Sequence, residues 1–311
     1  MKKGIILDGG AGRIIAAIPA LLKYVRNNPD HDLRVFIGGW DNLVWGIPEL
    51  QSITHSMDVK GNFDVRMKDL DVLLSPEPYR QPNYYNQKIS LAEAFDELIN
   101  ETEDHGDLGV PKLVLNKMEE KTAASAIAQA KAQQQKQKTI IIQPFGRSAQ
   151  RVDEHDIIDD SSRSVEPNVY LKLVKKLSTK YNLVFFGEKE LWVNDDSYTF
   201  KPEGDLRFWA AIVEAADYFV GCDSLGQHMA RAFDKPGTVI IGSTFPINTT
   251  YPDYFNLIEK QGVPKEYSPI RISGLESHLA DRINDCLMEF SDDEINDIYK
   301  SIVEDIEKKV K

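Results

Sequence analysis

The sequence predicts an α/β protein made of two Rossmann-like, doubly wound parallel-sheet domains. Three observations predict it. Short apolar runs alternate with helical patterns along the chain, the signature of parallel strands wound with helices on both faces. The alternation lapses at an Ala-, Gln- and Lys-rich stretch, Met118–Lys138, and restarts at Thr139–Gln143. In each half a polar, glycine-containing turn follows a strand and feeds a helix, at Gly9–Gly12 and at Asp223–Gly226. Such turns sit at the carboxyl ends of strands, where α/β sheets bind ligands.

In the first half, Gly4–Leu7, Leu33–Ile37, Val72–Leu74 and Leu113–Leu115 are apolar runs of strand length. Ile14–Arg26 is a helix candidate. Ser90–Ile99 is another, with Leu91, Phe95, Leu98 and Ile99 on one face. Ser75–Asn86, rich in proline and tyrosine, reads as a long loop of the kind that carries function. Met118–Lys138 consists of strong helix formers and reads as a surface helix leading into a linker. The expected division is therefore 1–138 for an N-terminal Rossmann-like domain, 139–290 for a C-terminal one, and 291–311 for a closing helix.

In the second half, Thr139–Gln143, Leu183–Phe186, Tyr218–Gly221, Val239–Ile241 and Ile270–Ile272 are the strand candidates. Asn168–Thr179, Leu206–Ala216, Gln227–Phe233 and His278–Phe290 are the helices. Pro236–Gly237 ends the helix after the Asp223 turn. Ser291-Asp292-Asp293-Glu294 is a capping box. Ile295, Ile298, Tyr299, Ile302, Val303 and Ile306 then recur at helical spacing, so the chain closes on an amphipathic helix.

Composition narrows the function classes. Hydrophobic residues make up 42% and charged residues 28% of 311, as in a globular protein, and the net charge is −12. That charge argues against broad adhesion to nucleic acid or anionic membrane. Two cysteines, Cys222 and Cys286, are too few for a disulfide framework and lack metal-ligand spacing; Cys222 reads as a packing residue. No apolar run is long enough to cross a membrane and no leader is evident, so a cytoplasmic protein without an integral membrane segment is expected.

The turn after Tyr218–Cys222 holds most of the candidate chemistry. Asp223, Ser224, Leu225 and Gly226 lead into a helix whose free N–H groups and dipole attract a phosphate. Asp223 as a helix cap fits the same reading. His228 is either a core histidine or a donor to a phosphate oxygen. Val239–Ile241 is closed by Gly242-Ser243-Thr244, which puts Thr244 at a neighbouring strand end. Arg147 and Arg163 lie in the loop after Thr139–Gln143 and are candidates to face a diphosphate. The acidic stretch between them, 151–162, reads as mobile. Glu188 or Glu190, after Gly187, has the place to accept ribose hydroxyls. Gly9, Gly10, Ala11 and Gly12 form the ligand-facing loop of the first half, with Gly10 and Gly12 free to approach a ligand. Asp69-Leu70-Asp71 mimics a metal-binding D-x-D but precedes its strand, at the wrong sheet edge. No metal site and no resident cofactor are expected.

These motifs resemble those of heptosyltransferase-type glycosyltransferases, which add ADP-activated heptose to lipopolysaccharide. The pattern D-S/T-G-L-x-H, then K/R-P, then G-x-T-x-P is carried by Asp223–His228, Lys235-Pro236 and Gly242–Pro246, with the Gly-Leu pair inverted to Leu225-Gly226. The opening Leu7–Pro29, the segment Arg163–Tyr170 and the run Phe185–Glu190 are similar to further family segments, in the right order. The resemblance implies a GT-B fold, two Rossmann-like domains facing a central cleft, with the acceptor on the N-terminal domain (1–138), the nucleotide-sugar donor on the C-terminal domain (139–290) and against Gly10 and Gly12, and the last helix crossing back onto the N-terminal domain. It implies inverting, metal-independent transfer from a nucleotide diphosphate-sugar to an acceptor hydroxyl. The acceptor would be a saccharide, a glycolipid or a modified nucleobase.

One position departs from the family. The family's proposed base is an aspartate directly after the last glycine of the first loop, and here that residue is Arg13. Arginine is no base at neutral pH but neutralises a leaving diphosphate. Asp8, at the same strand end, is the substitute candidate for the base. The rival readings are a GT-B transferase acting on modified DNA bases, a sugar-nucleotide-binding protein that has lost its catalytic base, and a nucleotide-sugar epimerase.

Overall fold

In the first half of the chain, four short strands lie side by side and all run parallel. The computed structural model describes residues 1–153, 156–187, 198–260 and 285–310, and the chain divides into two compact units, Met1–Asn116 and Lys117–Lys311. In the first unit β1 (Lys2–Leu7), β2 (Asp32–Ile37), β3 (Thr54–Ser56) and β4 (Val72–Leu74) form a sheet of order β3-β2-β1-β4. β1 is central, and an uninterrupted apolar run suits a strand covered on both faces. The helices are α1 (Ala11–Asn27), the short α2 (Pro48–Gln51) and α3 (Pro82–Tyr85), and α4 (Leu91–Asn100). A capping box starts α4: Ser90 Oγ accepts from the Glu93 N–H at 3.2 Å, and the Ser90 N–H donates to Glu93 Oε2 at 2.7 Å. α4 packs on α1.

Two expectations fail in this unit. Leu113–Leu115 forms no strand. Its apolar side chains serve packing without a ladder: Leu113 is buried, and Val114 lies so close to Gly46 that a Cβ there would stand 2.9 Å from it. Ser75–Asn86 is not a plain loop. Pro78 and Pro82, each at a first helical position, start a 3₁₀ turn and α3. Tyr79 and Tyr84 then bury edge-to-face, with ring centroids 5.7 Å apart.

In the second unit α5 (Lys117–Gln134) is followed by β5 (Thr139–Gln143), an antiparallel ribbon β6 (Gln150–Arg151) and β7 (Ile157–Ile158), α6 (Pro167–Leu177), β8 (Asn182–Phe185) and α7 (Leu206–Ala215). Then come β9 (Tyr218–Cys222), α8 (Leu225–Ala232), β10 (Gly237–Ile241), α9 (Pro246–Thr249), β11 (Asn256–Glu259) and α10 (Asp292–Lys309). The main sheet is parallel, of order β11-β10-β9-β5-β8.

The units divide before α5, not after it as 1–138 and 139–290 would have it. α5 packs its buried Ala123, Ile127 and Ala130 on the second unit, against α7. The Gln134 amide pairs with both the N–H and the carbonyl of Leu183, at 2.8 and 3.0 Å, covering the edge of β8. The closing helix also belongs to this unit. Ile295, Ile298, Ile302, Val303 and Ile306 of α10 join the core of the second unit, with Ile140, Leu173 and Val220. Of the expected helix His278–Phe290, Asp285–Met288 is a 3₁₀ turn and residues 278–284 lie outside the described residues, as does Ile270–Ile272. Cys222 is fully buried, and burial pushes its thiol far up.

Strand order fixes where ligands go. In the first unit the chain lays β2 and β3 on one side of β1 and β4 on the other, so the switch point is between β1 and β4. In the second, β8 lies on one side of β5 and β9 on the other, so the switch is between β5 and β9.

Candidate functional site

At the first switch point, Asp8 and Gly9 follow β1, and Pro76 and Glu77 follow β4. Gly9 has φ +89°, and a Cβ there would meet the Arg13 side chain at 3.2 Å, so the turn needs glycine. Gly10 is the N-cap of α1 and faces open space, and Gly12 lies in the first turn. Arg13 points inward and is 7% exposed. Nη2 donates to the Pro76 carbonyl at 2.7 Å and lies 3.4 Å from Asp8 Oδ1; Nη1 reaches both Glu77 carboxylate oxygens at 3.4 Å. The guanidinium also lies over the rings of Tyr79 and Phe95. Arg13 therefore bridges the two loops of the switch point. The Asp8 side chain is 66% exposed. Glu77 had no motif to mark it; its sequence signals are its place just past a strand and inside the proline- and tyrosine-rich Ser75–Asn86.

At the second switch point the helix starts earlier than expected. Ser224 is the N-cap, without a side-chain cap bond, and Leu225 and Gly226 already belong to α8. Asp223 is not the cap. Its carboxylate is 3% exposed and accepts from Gln227 Nε2 at 2.8 Å and from Thr244 Oγ1 at 3.0 Å. Burial raises its pKa, against the opposing pull of Arg163, Thr244, Thr249 and Gln227. Thr244 thus gives its proton to Asp223. The Gly226 N–H donates to Gln143 Oε1 at 2.6 Å, and a Cβ on Gly226 would stand 2.5 Å from that oxygen. Gln143, a polar residue ending the run Thr139–Gln143, is a site residue that sequence reasoning missed.

His228 Nδ1 pairs with the Tyr251 hydroxyl at 2.8 Å. Burial, with the charge of Arg163, pushes the imidazole pKa down to about 4, so the ring is neutral at pH 7 and serves an anion only as an N–H donor. Arg163 donates from Nη1 to the Asp223 carbonyl at 3.3 Å. Arg147 is exposed in the same loop. Glu188 and Glu190 lie outside the described residues. Asp69 pairs with Lys2 and Arg34 at the opposite sheet edge. Among the described residues no cluster of three or more His, Cys, Asp or Glu side chains is arranged to hold a metal ion. No helix among them is long and apolar enough to cross a membrane.

No protein-family model matches the chain, and no curated protein sequence does. Solved structures do. Escherichia coli ADP-heptose lipopolysaccharide heptosyltransferase II matches with a TM-score of 0.66 at 13% identity, over 99% of each chain. A glycosyl transferase of family 9 from Veillonella parvula matches with a TM-score of 0.63 at 13% identity, over 85% of this chain and 88% of that one. The chain has the GT-B fold. TibC of enterotoxigenic E. coli, described as an iron-containing dodecameric glycosyltransferase, matches with a TM-score of 0.58 at 11% identity, over 99% of this chain and 78% of its own. The likeness of this GT-B chain to the heptosyltransferases is one of fold.

Proposed function

We propose that the protein is a glycosyltransferase that moves a sugar from a nucleoside diphosphate-sugar to an acceptor hydroxyl, with inversion. The observation that carries this reading is the second switch point. There the start of α8, the neutral His228 and Arg163 stand together at the carboxyl ends of β5 and β9. Helix N–H groups and a guanidinium at one strand end are what a diphosphate needs. The acceptor oxygen would attack the anomeric carbon as its bond to the diphosphate oxygen breaks. The diphosphate would leave with the bond's electrons, and Asp8 would take the acceptor's proton. The saccharide, glycolipid or modified-nucleobase acceptor belongs to this reading, as does a cytoplasmic location.

The test is a thermal-shift series with ADP, GDP, CDP and UDP and their sugars. A ligand that binds the native state at about 100 times its Kd stabilises it by about 2.7 kcal/mol. A shift with one nucleoside diphosphate, lost in Asp223→Ala, is expected; no shift with any of them overturns the reading. Chemistry is expected to need no divalent metal. Transfer should survive excess chelator, and loss restored by magnesium or manganese would refute that part. A second reading is favoured by Arg13, which stands where the resembling family has its base. It is a sugar-nucleotide-binding protein without turnover, and it predicts the same shifts with no product when acceptors are added.

A further inference from the structure

The loop between β5 and α6 contains a knot of hydroxyls around one carboxylate. Asp159 Oδ1 accepts from Ser148 Oγ at 2.7 Å, Ser161 Oγ at 2.5 Å and the Ser161 N–H at 2.9 Å. Oδ2 accepts from Ser164 Oγ at 2.6 Å and the Ser164 N–H at 3.1 Å. Burial works against ionisation here, but the bonds from Ser161, Ser164 and Ser148 and the charge of Arg163 outweigh it and hold the carboxyl below its ordinary range.

The direction of these bonds matters. A serine hydroxyl has one proton. Ser148 and Ser161 both reach Asp159 Oδ1 and stand 2.8 Å from one another, so the protons of the pair are shared between the carboxylate and each other while lone pairs remain for Arg163. Arg163 Nε donates to Ser161 Oγ at 3.0 Å, and Nη2 lies 3.5 Å from Ser148 Oγ. Nη1 donates to the Asp223 carbonyl at 3.3 Å, past the end of β9. Ser162, between Ser161 and Arg163, has φ +51°, a left-handed turn that sets the direction in which Arg163 leaves the backbone. Gly146 lies alongside; a Cβ there would stand 3.6 Å from Asp159 Oδ2 and 3.8 Å from Arg163 Nη2. The guanidinium is thus aimed by a carboxylate that acts on it through two hydroxyls.

We propose that Asp159 is a positioning residue, which through Ser148 and Ser161 holds Arg163 in the pose that meets the diphosphate of a sugar nucleotide. The inference rests on the donor site proposed above. It differs from plain electrostatics in sign. Removing a negative charge near an anion site should strengthen anion binding, whereas loss of aim should weaken it.

The experiment is calorimetric titration of the full-length chain with ADP, GDP, CDP and UDP and with the four matching nucleosides. In Asp159→Asn, affinity for the nucleoside diphosphate that binds wild type should fall by roughly tenfold, the scale on which outer partners tune the groups they orient. Affinity for its nucleoside should not change. Asp160→Asn, the same charge change at an exposed neighbour, should bind as wild type does. If Asp159→Asn does not fold, Ser148→Ala/Ser161→Ala, which keeps the carboxylate and removes both hydroxyls facing Arg163, should show the same loss. Unchanged or tighter diphosphate binding overturns the proposal. So does an equal loss of nucleoside and diphosphate, which would mark the knot as a loop-folding device only. Wild type that binds none of the four diphosphates overturns the donor-site reading itself.

Discussion

Asp8→Asn should lower sugar transfer by about 10²–10⁴-fold, the usual worth of a general base, and leave nucleoside diphosphate binding intact. The substitution keeps the shape of an exposed side chain at the end of β1 and removes only its capacity to take a proton. Arg13→Ala should behave differently. Arg13 is buried and tied to Pro76, Glu77 and Asp8, so its loss leaves buried polar groups unsatisfied and should destabilise the first unit by about 1–3 kcal/mol. A diphosphate that reached Arg13 would first have to displace Glu77. Restoring the resembling family's residue with Arg13→Asp should be worse, because it sets a third carboxylate between Asp8 and Glu77. Single-turnover rates on saturating donor, with urea denaturation of each variant, separate the two kinds of failure. An Asp8→Asn protein that turns over at the wild-type rate rules Asp8 out as the base and makes Glu77 the next carboxylate to test.

The largest expected stability loss lies behind that site. Lys23→Met should destabilise the chain by about 3–5 kcal/mol, the cost of leaving a buried charge without its partner. Lys23 Nζ donates to Asp96 Oδ2 at 2.9 Å and to the Asp104 carbonyl at 2.5 Å, and pairs with Asp107 at 3.0 Å. Asp96 is fully buried and also accepts from Asn100 Nδ2 at 2.7 Å, while His105 Nδ1 lies 2.8 Å from it. The network fastens α1, which carries Arg13 at its start, to α4 and the loop that follows. Urea denaturation measures the loss. A change below about 1 kcal/mol, the range of an exposed pair, would show that water or a proton replaces the ammonium at Asp96.

Much of the fold was legible because parallel strands covered on both faces must be apolar throughout. Gly4–Leu7, the centre of Thr139–Gln143 and Val239–Ile241 stand out for that reason. Thr54–Ser56, at a sheet edge and built of polar residues, does not. The periodicity of α10 says which face is buried but not what it is buried against, so its place in the second unit could not be read from its stripe. The same limit holds at the site. Asp223, His228 and Arg163 were visible from their turn and motif. Asp159 was not, because a serine- and aspartate-rich stretch looks like a solvated loop until its hydroxyls are seen to share one carboxylate. Gln143 and Glu77 share that difficulty, since each acts on a residue far away in sequence.

On the proposed donor-site reading, Gln143 would make the second unit a filter. Its amide oxygen already accepts the N–H of Gly226, near the start of α8. Any ligand that takes this N–H must evict an oxygen held in place by β5. A hydroxyl or a neutral carbonyl gains no more from the N–H than the amide does, so the exchange yields nothing. A phosphate oxygen, charged and drawn by Arg163 as well, makes the stronger bond. Selection by charge would then operate before any contact with the base or the sugar.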